Sequence, residues 1–224
     1  MSSALAVFVR LPRPGRVKTR LAASIGNEAA AGLYRALAEH VLEATTPRAG
    51  EYERLVFFDP PEAGPEMRAW LPGVRLLAQS GGDLGARMAD AFARAFARGA
   101  RRAALVGTDA PSLSRETVVR ALSALDAKDV VLAPSGDGGY SLIALGAPRP
   151  ELFTGVEWST PRVLEQTRAR AAAAGLAVRE IEPLPDVDTL EDLSAQWAAV
   201  RPLLESAHDL RHAIEKALGA SPSS

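Results

Sequence analysis

The chain has 224 residues, 47% hydrophobic and 24% charged, with a net charge of −1 and no cysteine. Near-neutrality excludes a surface of one sign that would hold nucleic acid or anionic lipid, and the lack of cysteine excludes disulfides, thiolate metal sites and thiol nucleophiles. Met1 to Arg10 is too short an apolar run for a signal peptide and no 18-residue apolar stretch follows, so a cytoplasmic protein with no membrane or nucleic-acid partner is expected.

The length exceeds a ~150-residue prior without doubling it. No internal repeat or linker divides the chain, so one domain over 1–219 is expected, with a disordered tail at 220–224. Ala4 to Val9 reads as a short buried strand that ends in a loop broken by proline and glycine. Asn27 to Ala44 reads as a helix, with Leu33, Leu37 and Val41 on one stripe. Strands follow at Arg54 to Phe58 and Val74 to Ala78, and then a helix from Gly85 to Arg98 with Met88, Phe92 and Phe96 inward. Ala103 to Val106 is a strand ending at Gly107, and Ser114 is placed to cap a helix running to Leu125. Val130 to Ala133 and Tyr140 to Leu145 bracket a glycine turn. Thr160-Pro161 has the form of a helix start, with threonine as the cap and proline in the first turn. A strand at Ala177 to Ile181 and helices over Thr189–Leu204 and His208–Leu218 complete the series.

Alternating strands and helices predict an α/β fold, with a mostly parallel sheet covered on both faces. In such sheets ligands lie beyond the carboxyl ends of the strands, so the loops after strands carry the chemistry. After the first strand, Arg10 to Leu21 sets five cations in an open loop, the residue types that offset a pyrophosphate; a solvated basic loop is the plain alternative. The second glycine of a Walker A loop is missing, which argues against a P-loop NTPase. Asp109, just past a buried strand, suits a hard cation, which takes one or two protein carboxylates and leaves its other positions to water and phosphate. Asp186 and Asp188 precede the helix cap Thr189, so a helix-start role explains them poorly and either could be a second metal carboxylate. Gln79 to Met88 leads from a strand into a helix through glycines, where backbone can approach a base or phosphate. Ser135 to Tyr140 joins two strands and reads equally well as a β-turn.

Taken together, these segments resemble the nucleotide-diphospho-sugar transferase superfamily, of the three-layer α/β/α Rossmann-like GT-A fold with a mostly parallel mixed sheet. Within it, the chain is similar to a bacterial family of glycosyltransferases, sometimes linked to arsenosugars. The matching stretches are Pro14–Leu21, Gly82–Met88, Gly107–Pro111, Asp137–Tyr140, Glu157–Thr160 and Asp186–Thr189, in the family's order. The resemblance implies that Gly15, Lys18 and Arg20 hold a diphosphate and that Gln79, Gly82, Asp83 and Arg87 line base and ribose. Pro14, Gly85 and Thr108 complete the nucleotide-binding set. It makes Asp109 the main ligand of Mg²⁺ or Mn²⁺ and Asp188 the second. Asp137, Gly138, Gly139, Tyr140, Glu157 and Trp158 would face the sugar or acceptor, and Lys18, Arg20, Asp109 and Asp137 form the implied catalytic set.

The partners implied are a nucleotide sugar or an NTP together with a small acceptor, and a homodimer is the candidate assembly. One departure bears on the reaction. Glycosyltransferases of this fold usually carry Asp-x-Asp after the fourth strand, whereas this chain reads Thr108-Asp109-Ala110. A single aspartate completed by a late one resembles nucleotidylyltransferases, and Lys18 to Leu21 is also similar to phospholactate guanylyltransferases and molybdenum-cofactor nucleotidylyltransferases. The expected activity is metal-dependent glycosyl transfer, with nucleotidyl transfer and pyrophosphate release as the alternative. His208 and His212 have metal-ligand spacing but no third ligand, and a solvated helix face accounts for them.

Overall fold

The computed structural model describes residues 3–219, so the tail at 220–224 lies outside the described residues. Seven strands form the sheet: β1 (Ser3–Arg10), β2 (Glu53–Asp59), β3 (Leu76–Ala78), β4 (Arg102–Val106), β5 (Val130–Pro134), β6 (Tyr140–Leu145) and β7 (Val178–Glu180). Their order is β3-β2-β1-β4-β6-β5-β7. Pairings are parallel except those of β6, which runs against both β4 and β5. The reversal follows from chain length, since the short loop after β5 can only return the chain antiparallel.

The pleat sends alternate residues to opposite faces. Leu5, Val7 and Val9 of β1 and Val56 and Phe58 of β2 share one core with Val41 and Leu42 of α2 (Asn27–Ala44), Met67 of α3 (Gly64–Trp70) and Val118 and Leu122 of α5 (Arg115–Ala124). Ala4, Ala6, Leu55 and Phe57 face the opposite core, against Met88 and Phe92 of α4 (Leu84–Ala97) and Ala171 of α6 (Val163–Ala173). A third cluster joins Leu21 of α1 (Thr19–Ile25) and Leu33 and Leu37 of α2 to Val187, Leu193, Val200, Leu204 and Ile214. That cluster fastens α7 (Leu190–Ala195), α8 (Trp197–Val200) and α9 (His208–Ala217) over the first two helices.

Several boundaries differ from expectation for local reasons. The helix predicted from Thr160-Pro161 begins at Val163, with Arg162 at the cap position and no side-chain capping bond to the helix. Thr160 instead donates its hydroxyl to the Glu157 carbonyl at 2.7 Å, closing a turn before the helix. The helix expected over Thr189–Leu204 is broken: Gln196 leaves helical geometry between α7 and α8, and its side chain donates to the Asp186 carbonyl at 2.8 Å. Residues 201–204, with Pro202, then form a 3₁₀ turn. The helices α1 and α3, each of seven residues, were not read from the pattern because they are too short to repeat an apolar stripe.

The start of α4 is positioned by close packing. A methyl group on Gly85 would lie 2.6 Å from both the Phe153 carbonyl oxygen and Trp158 Nε1. Alanine is favoured over glycine inside a helix by about 1 kcal/mol. Overpacking against a backbone carbonyl costs about 1–3 kcal/mol. Gly85→Ala is therefore expected to lower stability in spite of its helix propensity, read as a lower denaturant midpoint at unchanged slope.

Candidate functional site

After β1 the chain moves outward through β2 and β3 and then crosses to β4 on the other side of β1. The strand order thus reverses between β1 and β4, and at such a switch point the loops diverge and leave a crevice. A cleft of about 370 Å³ opens there. Its lining includes Phe8, Arg10, Val17, Lys18, Tyr34, Gln79, Arg87, Thr108, Asp109, Tyr140, Ser141, Asp186 and Asp188. The size falls within the usual range for small-molecule sites, and apolar walls with a few converging polar groups fit that use.

Lys18 lies at the floor. The preceding loop turns through hydrogen bonds from Arg13 N to the Leu11 carbonyl at 2.8 Å and from Arg16 N to the Arg13 carbonyl at 3.0 Å. Gly15 takes φ 73°, a backbone that favours glycine. Val17 is buried against Ala31, Tyr34 and Ala38 of α2. Lys18 caps α1 in a left-handed conformation, φ 48° and ψ 42°, without using its side chain for the cap. The side chain turns inward instead and is only 3% exposed. Its ammonium contacts Asp109 Oδ1 and donates to Asp188 Oδ1 at 2.6 Å. Burial alone would lower the Lys18 pKa, but the two carboxylates overcome it and hold the ammonium charged well above the ordinary lysine value.

The two aspartates come from distant parts of the chain and are tied together through the backbone. Val187 N donates to the Asp109 carbonyl at 2.9 Å, and the Val187 side chain is buried in the same cluster as Leu21. Asp188 is then fixed by the start of α7. Thr189 and Asp192 form a capping box, and Asp192 Oδ2 also accepts from Asp188 N at 3.1 Å. Asp186 lies beside them, its pKa raised to about 6 by burial and by the neighbouring Asp188, Asp137 and Asp109 carboxylates.

Across the cleft, Gln79 is buried and donates to the Phe57 carbonyl at 3.0 Å, and its Oε1 accepts from Arg87 at 3.4 Å. Arg10, at the end of β1, lies 3.5 Å from Asp59. The Tyr34 hydroxyl accepts from Arg10 N at 2.7 Å and from the buried Thr108 hydroxyl at 3.2 Å. Burial and the nearby Asp109 push its pKa up to about 12.

The fold thus gathers Lys18, Gln79, Arg87, Thr108, Asp109, Tyr140 and Asp188 of the predicted residues around one cleft. Others build the surrounding loops. Pro14, Gly15 and Arg20 are exposed on the loop and the first turn of α1, outside the lining. Asp83 caps α4 by accepting from Ala86 N at 2.8 Å, and Gly82 precedes it at φ 98°. Asp137 accepts from the Ser135 hydroxyl at 2.6 Å and from Gly139 N at 3.0 Å, which holds the β5–β6 turn. A methyl on Gly138 would strike the Pro161 carbonyl at 2.2 Å, so that turn also seats the start of α6. Glu157 pairs with Arg162, and Trp158 packs on Phe153 and Gly85. His208 and His212 are exposed. Sequence reasoning does not single out Arg10, Tyr34 or Phe8: Arg10 is one of the five cations of the first loop without an individual role, and the other two have the pattern of core residues.

Among the described residues, no group of three or more His, Cys, Asp or Glu side chains is arranged to hold a metal. The converging pair Asp109 and Asp188 nevertheless suits a hard dication in donor chemistry, and the buried ammonium between them shows that the spot attracts positive charge.

A protein from Desulfovibrio desulfuricans G20, provisionally named as a nucleotide-diphospho-sugar transferase, is 33% identical, with 96% of this chain and 99% of that one covered and a TM-score of 0.85. A CMP:2-keto-3-deoxy-manno-octonic acid synthetase solved with CTP is similar in fold at 14% identity, 90% and 99% coverage and a TM-score of 0.57. A Methanothermobacter nucleotidyl transferase is similar at 18% identity, with the same coverage and TM-score. The fold is therefore that of the nucleotide-diphospho-sugar transferases. Residues 42–160 match the family described as an uncharacterized protein conserved in bacteria (DUF2064), and the chain belongs to that family. A search of curated proteins gave no significant match. No helix among the described residues is long and apolar enough to cross a membrane.

The three tyrosines of the chain supply a pH test of this packing. Burial raises Tyr34 and Tyr52 from 10.0 to about 12, and Tyr140 is also raised by burial. A folded pKa above the unfolded value contributes stability that is complete below pH ~10 and is lost as pH rises towards ~12. Near-ultraviolet titration is expected to show almost no tyrosinate in the native protein at pH ~10, with ionisation and unfolding together above it. Ordinary titration of any one tyrosine in the folded state would contradict the packing around that ring.

Proposed function

We propose that this protein is a metal-dependent transferase that takes a nucleotide-diphosphate sugar as donor and passes the sugar to a small acceptor. The observation that carries this reading is the convergence of Asp109 and Asp188 on Lys18 at the switch point of the sheet. The name of the D. desulfuricans relative supports it. Asp109 and Asp188 would hold Mg²⁺ or Mn²⁺, which when bound neutralises charge on the diphosphate as it leaves.

The chain's own residues do the rest. Lys18 places a permanent positive charge at the floor, where a leaving diphosphate accumulates negative charge. Arg10 and Arg87 line the same cleft and offer guanidinium donors to phosphate oxygens. Gln79, held by the Phe57 carbonyl, and the apolar ring of Phe8 form a wall against which a base can lie. Asp137 and Glu157, which the resemblance sets against the sugar or acceptor, are engaged by Gly139 and Arg162 in their own loops. Asp186 is the further carboxyl in the cleft lining.

Nucleotidyl transfer is the second reading, favoured by one observation: the second carboxylate comes from the loop before α7 and not from an Asp-x-Asp after β4. In that reaction a phosphorylated acceptor attacks the α-phosphorus and pyrophosphate leaves in line. The two readings differ in the ligand that stabilises the fold and in the product released. For glycosyl transfer, a thermal-shift screen is expected to show stabilisation by UDP- or GDP-sugars with Mn²⁺ and release of the nucleoside diphosphate. Stabilisation by CTP or GTP with Mg²⁺, accompanied by pyrophosphate release, would establish the second reading instead.

Under either reading, Asp109→Asn is expected to abolish metal-dependent nucleotide binding and to lower turnover by about 10²–10³, as for loss of one electrostatic contact to the transition state. Unchanged metal-dependent binding in that variant would show that the site lies elsewhere.

A further inference from the structure

The feature left unexplained by a simple phosphate-binding lysine is the direction in which Lys18 points. A lysine held ready for a ligand phosphate would face the open cleft, yet this one is buried to 3% exposure and engages Oδ1 of both aspartates. The ammonium fills the point on which the two carboxylate oxygens converge. The backbone contributes to this arrangement, because Lys18 is one of two non-glycine residues at positive φ among those described, and the strained conformation directs its side chain inward.

We infer that Lys18 is a positioning residue that serves as the resident counter-ion of the Asp109–Asp188 pair, so that a divalent cation can bind both carboxylates only by displacing its ammonium. This rests on the reading of the two aspartates as the metal site. Two like charges on one pair of oxygens repel in a half-buried cleft, where the effective dielectric is well below that of water. Metal alone therefore competes with a covalently tethered cation. A ligand that brings phosphate changes the balance, since its oxygens accept the displaced ammonium while they complete the coordination of the metal. Metal and phosphate then favour each other's binding, a reciprocal coupling that needs no movement of the sheet.

The test uses Mn²⁺ alone, titrated into the full chain and followed by the paramagnetic resonance signal of the free ion. Lys18→Met keeps the length of the stem and removes the charge, and it is expected to bind Mn²⁺ at least tenfold more tightly than the unaltered protein. Lys18→Arg keeps the charge and is expected to bind within a few-fold of the unaltered protein, which separates charge from packing. A Lys18→Met chain that melts early without metal should gain more in its melting midpoint from Mn²⁺ than the unaltered chain does. Lys18→Met binding no tighter, while Asp109→Asn loses binding, would overturn this inference and leave the metal site standing. Tenfold tighter binding by Lys18→Arg would overturn it as well. Mn²⁺ binding that survives both Asp109→Asn and Asp188→Asn would remove the metal-site reading itself, and the inference with it.

Discussion

Two ionised carboxylates held side by side in a half-buried crevice repel each other unless a positive charge lies between them. Most of what surrounds the cleft of this protein meets that requirement. Lys18 answers both charges with one ammonium, and its reach inward depends on a left-handed backbone step at the start of α1. That step follows a loop turned by Gly15 and anchored by Val17. On the other side, a backbone bond from Val187 to Asp109 and the capping box of α7 fix where Asp188 begins. The apolar cluster of Leu21, Leu33 and Val187 locks the two sides together, so an electrostatic site is held in place by hydrophobic packing.

The loops around the cleft use many of their polar groups on themselves. Asp83 caps a helix, Asp137 closes a hairpin turn, and Gly85 and Gly138 make room for the Trp158 and Pro161 segments. A loop beside a crevice has few backbone partners and must satisfy its donors locally or with water. Short side chains with oxygen acceptors are the means for doing so. The residues that line the cleft come largely from the ends of strands and the loops that follow them, with Tyr34 reaching in from α2.

This division explains what could be read from the sequence. The strands were visible as short apolar runs, and the helices α2, α4 and α5 as stripes or caps, because burial leaves a periodic mark. The switch-point loops were identifiable from position alone, and they supply Lys18, Gln79, Asp109 and Asp188 to the cleft. Which acid or glycine in such a loop lines the cleft and which one builds the turn was less visible: Asp83 serves as a helix cap, a role its letter alone does not distinguish from lining a crevice. The pairing of Lys18 with Asp188 was equally hidden, because it depends on a third apolar cluster that joins the two ends of the chain. Tyr34 shows the same limit: it lies in an apolar stripe, and only the fold turns its hydroxyl towards Arg10 and Thr108.

The contact between Lys18 and Asp188 spans 170 positions of sequence. A contact of that range cannot form while the chain is being made until nearly all of it has emerged, and closing so long a loop delays it further in refolding. The pairings of β1 with β2 and β4 span shorter stretches of chain than this contact does. The second carboxylate arrives only when α7 and the helices after it settle onto α1 and α2. The complete acidic pair therefore requires nearly the whole chain: one that ends before residue 188 has Asp109 but lacks its partner, and lacks as well most of the cluster that packs on Leu21, Leu33 and Leu37.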